Sequence, residues 1–455
     1  MSIEDKRGPD IEQVAVSMED ISVRVRSERS LHILLVTSAY APERAGTAPL
    51  NTELCEYLAA RGHRISVVTS FPHYPQWRVF PAYRGKLWQR ETLNGVTIFR
   101  SYAYIPSRRT TVRRILHDTS VGLFGGLRGM AIGHVDLILA VSPPLQAGLA
   151  GCILAWLKGA PLLLDLHDVV PDLAIAVEML RNPLAIKMAR LLEKFIYSRS
   201  DRILVISEEF VPNLIGKGIV KSKISFLPLW VDSDLISPGN RKGPFRKTHN
   251  IGEVQTVVLY TGNMGAKQNL ENVLEAAGRL QTYRDVLFLF VGDGSEKKRL
   301  QEYAHDKALS NVRFLPLLPP QPRELLPELL AAADVLVLNQ SAHIVDTVIP
   351  SKLFTYMAAG RPIVAAANQS SQAAACIRKA GSGIVVDPEN PAALAEAILQ
   401  LREDRELAER LGRQGRLFVE EHSARNRIFN KYEDAFLTCA NNRLTRVLLD
   451  QGAAD

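Results

Sequence analysis

The feature that most constrains the fold of this 455-residue chain is the stretch at 341–367, SAHIVDTVIPSKLFTYMAAGRPIVAAA. It follows a branched apolar run, residues 335–338, which is typical of a parallel strand covered on both faces. Pro350 and Ser351 then indicate a helix start with Ser351 as the N-cap, and residues 352–358 predict two helical turns. A glycine and a proline end the helix before a second apolar strand. This order predicts a parallel α/β sheet.

The start of this short helix is a candidate anion site. Free backbone N–H groups and the helix dipole favour negative charge at a helix N-terminus. Lys352 adds a positive charge in the first turn, and Asp346 offers a carboxylate in the preceding loop. The chemistry that fits is a phosphorylated ligand with hydroxyl groups held beside the phosphate. The same pattern also fits an ordinary capped helix with no ligand.

The alternation of strands and helices recurs in both halves of the chain, which is too long for one ordinary core. We therefore predict an α/β fold of two Rossmann-like domains facing each other across a cleft. The predicted organisation is a loosely ordered extension at 1–29, a first domain at 30–235, a second at 236–425, and a C-terminal helix and tail at 426–455. The first strand–helix loop lacks GxGxxG, which disfavours a nicotinamide or flavin enzyme.

Charge and hydropathy narrow the function only partly. The formal charge of +7 is compatible with binding of nucleic acid, an anionic membrane or phosphorylated substrates.

Residues 137–156 carry no charge and are long enough to span a bilayer, but Pro143 and Pro144 favour a strand, a turn and a helix instead. The four cysteines lie far apart, without metal-site spacing, and read as free thiols in a reducing compartment.

A basic segment at 110–128 interleaves arginines with apolar residues and follows two further arginines. The basic side chains are Arg108, Arg109, Arg113, Arg114 and Arg128. Such a pattern fits a solvated helix face, and it equally fits an interfacial helix on anionic lipid.

Three further groups of residues are candidates for chemistry. TGNMGAKQN carries Gly262, Gly265 and Lys267 directly after a predicted strand, which suits a diphosphate, although a tight turn without a ligand has the same composition. His167 and Asp168 follow a strand at the sheet edge where α/β proteins bind ligands, but a lone histidine there is often structural.

The segment FPHYPQW offers His73, Tyr74 and Trp77 as an acceptor pocket or, alternatively, as core. Asp232 and Asp234 form a DxD-like pair in the predicted linker. We expect a surface turn there and no metal site.

Together these residues resemble the GT-B glycosyltransferases of retaining family 4, and most nearly the bacterial colanic-acid and O-antigen branch. The resemblance runs from about residue 31 to 420 and is most specific in TGNMGAKQNL and PSKLFTYMAAGRPIV. It implies that the second domain binds a nucleotide sugar and the first domain binds the acceptor.

The resemblance also implies roles for individual residues. Lys267 contacts the donor diphosphate, Asp346 binds sugar hydroxyls and His167 lies beside the sugar, so these three are the predicted catalytic residues. The predicted donor-binding residues are Gly46, Thr47, Gly262, Asn263, Gly265, Lys267, Asp293, Asp346, Pro350, Ser351, Lys352 and Thr355. The predicted acceptor-binding residues are His73, Tyr74, Trp77 and Asp168.

The chain departs from the family pattern at three positions. Thr355 replaces the glutamate that usually binds ribose, Asn263 replaces an arginine, and Leu229 replaces a linker asparagine. The mode of ribose binding is therefore open.

The expected activity is metal-independent, cofactor-free transfer of a sugar, with retention, from a nucleoside-diphosphate sugar to a saccharide or lipid-linked acceptor in cell-surface polysaccharide synthesis. The alternatives are a GT-B-like binding protein without turnover and a nucleotide-sugar epimerase. The expected location is cytoplasmic, on the inner face of the plasma membrane, held through Arg108, Arg109, Arg113 and Arg114. We expect no nucleic-acid partner.

Overall fold

The computed structural model describes residues 30–43, 46–74, 76–108, 110–176, 180–319, 324–342 and 350–452. The side chains of 173, 176 and 444–452 are left out of the description. The predicted extension at 1–29, Arg109 and Asp346 lie outside the described residues.

The first domain is built on an eight-stranded sheet in the order β3-β4-β2-β1-β5-β6-β7-β8. Its neighbouring strands pair in parallel, except that β3 and β4 are antiparallel. The strands are β1 His32–Val36, β2 Arg64–Ser70, β3 Trp88–Leu93, β4 Val96–Ser101, β5 Leu137–Ser142, β6 Leu162–Leu166, β7 Arg202–Val205 and β8 Ile224–Phe226. Near-continuous burial along the central strands is what a sheet covered on both faces requires.

Helices cover both faces of this sheet. The described helices of this part of the chain are α1 Ala48–Ala60, α2 Thr111–Met130, α3 Leu145–Lys158, α4 Asp172–Ala176, α5 Pro183–Arg199 and α6 Phe210–Gly216. Side chains of β1 alternate between two cores, with Ile33 facing α1 and Leu34 facing α3 and α5. The outer layer of the second face is therefore made by α2, α3 and α5, side by side.

The β3–β4 hairpin was missed by the sequence prediction, which treated residues up to Tyr104 as an extended run. Asn94 and Gly95 connect the strands with φ of 47° and 82°. Positive φ at both central residues is the geometry of the tight hairpin turn for which Asn-Gly is the strongest sequence signal. The dipeptide was therefore sufficient to predict the hairpin.

The second domain has a six-stranded parallel sheet in the order β11-β10-β9-β12-β13-β14. Counted from its first strand, this is the 3-2-1-4-5-6 order of the doubly wound nucleotide-binding fold. The strands are β9 Thr256–Asn263, β10 Val286–Asp293, β11 Val312–Leu315, β12 Val335–Asn339, β13 Ile363–Ala366 and β14 Gly383–Val386. The accompanying helices are α7 Pro244–Thr248, α8 Glu271–Arg279, α9 Lys297–Asp306, α10 Leu325–Ala332, α11 Ser351–Ala358, α12 Gln372–Ala380, α13 Pro391–Glu403 and α14 Arg405–His422.

The last helix, α15 Arg425–Gly452, returns to the first domain. Its buried residues Phe429, Tyr432 and Phe436 belong to the same core as α1 and β1. The linker is also buried: Leu229, at a position where the family usually has asparagine, is 6% exposed and belongs to the core that joins the two sheets. The predicted fold class, two Rossmann-like α/β domains, is confirmed.

Two details of the sequence prediction change. The helix α11 begins at Ser351, so Pro350 and not Ser351 occupies the N-cap position, without a side-chain cap bond. Residues 137–156 form β5, a turn and most of α3, as the paired prolines predicted. Among the described residues, no helix combines the length and apolarity needed to cross a bilayer.

Candidate active site

The candidate site in the second domain lies at the carboxyl ends of β9 and β12. These strands are neighbours, and the chain leaves them towards opposite sides of the sheet, which makes a crevice where doubly wound folds bind ligands. The loop after β9 carries Gly265 and Lys267, and α11 follows the segment after β12. The backbone N–H of Ser341 donates to the carbonyl oxygen of Lys267 at 3.0 Å, so the two loops are joined.

Lys352 is the most constrained charged group at this edge. Its Nζ donates to the Tyr260 hydroxyl at 3.1 Å and to the Thr261 carbonyl at 3.3 Å, and lies 4.4 Å from the centroid of the Tyr260 ring. Burial lowers the pKa of Lys352 to about 8. No carboxylate within the described residues forms an ion pair with it. An ammonium group held this way is suited to meet an anion from outside the protein.

The start of α11 presents backbone donors beside Lys352. No side chain caps this helix, because Pro350 has no group that could accept a bond from the first turn. Ser351 is exposed as the first helical residue, and Thr355 is half-buried one turn later. The helix end therefore combines free N–H groups with the positive end of the helix dipole.

The glycine positions allow the backbone to approach closely. A Cβ on Gly262, where φ is 121°, would lie 3.2 Å from Lys352 Nζ. A Cβ on Gly294, where φ is 157°, would lie 2.3 Å from the carbonyl oxygen of Met264. Side chains at these two positions would therefore crowd Lys352 and push the β9 and β10 loops apart.

Two predicted donor-binding residues already have partners in the protein. Asp293 is exposed, and its carboxylate accepts a bond from the N–H of Gly294 at 2.8 Å. The Asn263 amide donates to Gln268 Oε1 at 3.3 Å. That oxygen also accepts a bond from the N–H of Gly265, which fixes the turn before Lys267.

Asn339 is a structural residue that the sequence analysis did not identify. It is 2% exposed at the end of β12, and its amide donates to the carbonyls of Gln268 and Asn269 at 2.8 and 2.9 Å. Asn272 donates to its side-chain oxygen at 2.8 Å. A polar residue ending an otherwise apolar strand run, VLVLN, was the available signal, because a buried amide must satisfy its hydrogen bonds locally.

Across the cleft, the first domain presents His167 directly after β6. Its Nε2 lies 3.2 Å from Asp165 Oδ2, and the hydroxyl of Tyr432 in α15 donates to Asp165 Oδ1 at 3.3 Å. Burial alone would lower the pKa of His167, but the carboxylates of Asp165 and Asp168 outweigh it and raise that pKa. Asp165 and Tyr432 were not among the predicted site residues.

Asp168 links the two domains electrostatically. Burial raises the pKa of its carboxyl group, while the positive charges of His167 and of Lys267 in the second domain oppose that rise. Lys267 is exposed and forms no ion pair within the described part of the chain. Because screening limits such an effect to short range, Lys267 lies within electrostatic range of Asp168.

The loop after β1 lies at the same edge of the first sheet. Gly46 has φ of 65°, and a Cβ there would lie 4.0 Å from the Tyr74 ring. Thr47 occupies the N-cap position of α1 without a side-chain cap bond. The buried carboxylate of Glu43 accepts bonds from the N–H groups of His73 and Tyr74 at 2.6 and 2.7 Å, which joins this loop to the predicted acceptor segment.

The predicted acceptor residues divide into a buried and an accessible part. His73 is 4% exposed, and its ring packs against Trp77 and His117 with centroid distances of 5.8 and 4.9 Å. Trp77 is half-buried with φ of 54°, an uncommon conformation for a bulky residue, and Arg114 lies 5.8 Å from its ring centroid. Tyr74 is exposed. Trp77 and Tyr74 are thus available to a ligand, whereas His73 is part of the packing beneath them.

The acidic pair considered for metal has a structural role. Asp232 Oδ1 accepts a bond from the N–H of Leu235 at 3.1 Å, and Asp232 pairs with Arg425. Asp234 is exposed and accepts a bond from Asn426. Within the described ranges, no three or more His, Cys, Asp or Glu side chains are grouped as metal ligands would be.

Two family models together cover most of the chain. "Glycosyl transferase 4-like domain" matches residues 45–230, and "Glycosyl transferases group 1" matches residues 242–418. The chain is 31% identical over 385 residues to the "putative colanic acid biosynthesis glycosyl transferase WcaI" of Escherichia coli (strain K12), covering 81% of this chain and 92% of WcaI.

Solved structures resemble the whole architecture. HepE of Anabaena in complex with UDP superposes with a TM-score of 0.66 at 14% identity, covering 90% of this chain and all of HepE. The sucrose-phosphate synthase of Thermosynechococcus elongatus superposes with a TM-score of 0.64 at 18% identity, covering 93% of this chain and all of the synthase. At such low identity these likenesses concern the fold.

Proposed function

Because the chain belongs to the glycosyltransferases in which a glycosyl transferase 4-like domain is followed by a group 1 domain, we propose that it transfers a sugar from a nucleoside-diphosphate sugar to a saccharide or lipid-linked acceptor. The transferred sugar would retain its anomeric configuration. The product would belong to a cell-surface polysaccharide, by analogy with the name of its relative WcaI. The protein would act on the cytoplasmic face of the plasma membrane.

The observation that carries this proposal is the pair of lysines at the β9–β12 crevice. Lys352 is half-buried beside an uncapped helix start, and Lys267 stands on the neighbouring loop. Neither has an ion-pair partner within the described residues. A diphosphate bound between them would receive two ammonium groups and free backbone donors, which is the environment that phosphate oxygens require. The similar fold of HepE of Anabaena was solved in complex with UDP, which supports a nucleotide ligand for this fold.

The reaction can be balanced with these groups. The bond from the anomeric carbon to the diphosphate oxygen breaks, and its electron pair leaves with the diphosphate. Lys267, Lys352 and the amides of α11 stabilise that charge. The acceptor oxygen forms the new bond on the same face of the sugar, and its hydroxyl proton passes to the departing diphosphate. No protein nucleophile and no metal take part in this scheme.

The other predicted residues are assigned to binding. Asp346, outside the described residues, would hold sugar hydroxyls, and Gly46 with Thr47 would close over the diphosphate. His167 and Asp168 lie on the opposite wall, where the sugar and the acceptor hydroxyl would meet. Tyr74 and Trp77 would contact the acceptor. Ribose would rest against Thr355 and the β10 loop with Asp293.

The first test is a thermal-shift screen of the purified full chain against a panel of uridine and guanosine diphosphate sugars. We expect one nucleotide sugar to raise the melting temperature. The same donor should then be hydrolysed slowly without acceptor and turned over faster with a polyprenyl-linked saccharide. Product analysis by NMR should show the donor's anomeric configuration. If no nucleotide sugar stabilises the protein, the proposed donor site is wrong.

Asp346→Ala provides a sharper test of the assigned roles. We expect this variant to bind the nucleotide sugar more weakly while binding the free nucleoside diphosphate as before, because the carboxylate would contact only the sugar. Calorimetric titration with both ligands separates the two effects. Equal loss for both would remove Asp346 from the sugar site.

A further inference from the structure

The outer helices of the first domain expose an unusual number of large apolar side chains. More than half of all such exposed residues in the described chain lie on α2, α3 and α5, which are packed side by side. They are Val112, Ile115, Leu116, Leu123, Leu127 and Met130 on α2, Ile153, Trp156 and Leu157 on α3, and Leu184, Met188, Leu191 and Phe195 on α5. We call these thirteen side chains the outer apolar face. Exposed apolar side chains concentrated on neighbouring helices in this way indicate an interaction surface.

The helix α5 carries the most regular part of this face. Leu184, Met188, Leu191 and Phe195 recur at i, i+4, i+7 and i+11, so they form one ridge along the helix. They are 68%, 59%, 54% and 42% exposed. The opposite side of α5 buries Ile196 and Tyr197 in the core. The ridge is therefore not needed for packing within the domain.

The charges beside the ridge are all positive. Lys187, Arg190 and Lys194, spaced at i, i+3 and i+7, form a second exposed row on one flank of α5. No ion pair involves these three residues within the described chain. The single carboxylate of the helix, Glu193, is 3% exposed and is paired with Lys217 at 2.5 Å. Along α5 itself an incoming surface would meet apolar groups and cations, whereas the exposed carboxylate of Asp201 lies just beyond the end of the helix.

The neighbouring helices have the same character. Taken together, α2, α3 and α5 contain eight lysine or arginine residues and only two carboxylates, Asp118 and Glu193, neither of which is exposed. On α3, the indole of Trp156 is 80% exposed beside Leu157. Exposed tryptophan with flanking cations is the combination found at membrane–water interfaces.

The cations of α5 also border concave surface. Lys187, Arg190 and Lys194 line an open groove along the helix. A cavity of about 590 Å³ at the end of α5 is lined by Arg199, Arg202 and Arg443, and also by the carboxylate of Asp201. Cations outnumber the carboxylate there, and guanidinium and ammonium groups are suited to bind phosphate.

The position of the face suits an acceptor delivered from a lipid. Helices that follow parallel strands begin at the carboxyl edge of the sheet, so α2 and α5 start at the cleft and run away from it. Arg114, near the start of α2, lies over Trp77 in the predicted acceptor segment. A bilayer against the outer apolar face would therefore lie next to the acceptor side of the cleft.

We infer that the outer apolar face docks on a bilayer that contains anionic lipid, with the α5 ridge inserted at the interface and the α5 cations on lipid phosphates. This inference rests on the proposed membrane location and extends it from the arginines around α2 to a surface centred on α5. The absence of exposed carboxylates on these three helices favours anionic lipid over a protein partner, whose surface would normally carry both signs.

The test is partition of the full chain between buffer and vesicles of phosphatidylcholine with or without phosphatidylglycerol. We expect binding to anionic vesicles that weakens as salt is raised, because salt screens the attraction. Neutralising the three α5 cations (K187Q/R190Q/K194Q) should weaken partition about 100-fold. A matched variant of the second domain, K298Q/K307Q/R410Q, removes the same charge and should bind like the wild type.

Trp156 reports whether the face inserts. Lipids brominated in the acyl chain should quench the fluorescence of the bound wild type, and Trp156→Phe should bind but lose most of that quenching. Leu191→Ser should bind more weakly, because the apolar ridge is interrupted. Circular dichroism checks that each variant is folded.

Four results would overturn the inference. These are no binding of the wild type to anionic vesicles at low salt, equal binding of the two triple variants, no quenching, and a dimer in solution that Leu191→Ser dissociates. Donor hydrolysis without lipid separates this inference from the proposed function: the α5 variant should hydrolyse donor at the wild-type rate. A protein that binds vesicles but hydrolyses no nucleotide sugar would contradict only the proposed function.

Discussion

The two domains share one architecture and differ in the surfaces they expose. Among the described residues, all but three of the exposed large apolar side chains precede residue 230, and the exceptions are Val254, Leu317 and Leu417. On the second domain, several exposed charges pair with each other, as Lys298 does with Glu302 and Arg413 with Glu409. A doubly wound sheet requires only that the inner side of each helix be apolar. The fold does not constrain the outer side of a helix. The different outer surfaces of the two domains therefore reflect what each surface contacts rather than the fold.

The cleft edges differ as well. The first domain contributes His167 with the carboxylates of Asp165 and Asp168 and also carries the accessible Trp77 and Tyr74, whereas the second contributes Lys267 and Lys352. The second domain's wall of the cleft carries excess positive charge, and the first domain's wall carries an imidazole, carboxylates and aromatic rings. These two walls suit a ligand with an anionic group at one end and a sugar at the other. The comparison predicts that changes in the second domain alter donor chemistry without altering membrane binding.

The largest expected effect comes from Lys267→Ala. We expect turnover to fall by about 10²-fold or more, because removal of one preorganised electrostatic donor costs about 3 kcal/mol in comparable sites. Steady-state kinetics with donor and acceptor measure the loss. Lys267 is exposed on a loop, so the melting temperature should not change.

Vesicle partition of Lys267→Ala should also match the wild type, which is the control for the division between domains. A folded variant with unchanged kinetics would remove Lys267 from the site. A variant with reduced vesicle binding would contradict the separation of the two surfaces.

The pH dependence of donor binding tests Lys352. Its pKa is about 8 in the free protein because burial disfavours the charge, and a bound diphosphate would raise it. Below pH 8 the free protein already carries the charge, so affinity should be constant. Above pH 8 the free protein must take up a proton to bind, and affinity should fall by up to about tenfold per pH unit.

Lys352→Arg is the matched control, because arginine stays charged throughout this range. Titrations of the free nucleoside diphosphate from pH 7 to 9.5 should show the decline in the wild type and not in Lys352→Arg. A flat wild-type profile would mean that Lys352 does not contact the diphosphate.

The sequence predicts those features of the structure that depend on residues close together in the chain, and it misses those that depend on distant residues. Alternating apolar strands and helices fixed the two-domain fold, and a cation at a helix start identified Lys352, because both are local patterns. Asp165 and Tyr432 are 267 positions apart, so only the return of α15 to the first domain brings them together. The ridge on α5 was overlooked for a different reason. Its apolar spacing looks like a core face until the structure shows which side is buried.

A smaller effect is expected from Asp165→Asn. Its carboxylate holds the pKa of His167 above the ordinary value, so the variant should lower that pKa. Because the proposal places His167 beside the sugar, where only the protonated imidazole donates from both nitrogens, a lower pKa should weaken sugar binding and move the alkaline limb of the pH–rate profile to lower pH. We expect activity at neutral pH to fall on the order of tenfold, less than when an acid–base group is lost outright. Tyr432→Phe, which removes a donor to Asp165 but leaves the carboxylate's charge in place, should not move the profile to lower pH. Loss of activity with an unshifted profile would indicate a structural role alone.

The smallest expected effect is that of a chelator, and it bears on the comparison directly. In many phosphate-binding enzymes a divalent cation neutralises the leaving group. Here Lys267, Lys352 and the start of α11 would carry out that role, so EDTA should leave transfer unchanged. The measurement is the initial rate of transfer after dialysis against EDTA, with and without added magnesium or manganese.

Lys267→Ala assayed with added magnesium is the informative companion, because partial rescue would show that the lysine and a metal ion can occupy equivalent positions. Strict dependence of the wild type on added metal would contradict the assignment of leaving-group stabilisation to the lysines and the start of α11. A bound cation would then have to be counted as part of the second domain's wall of the cleft.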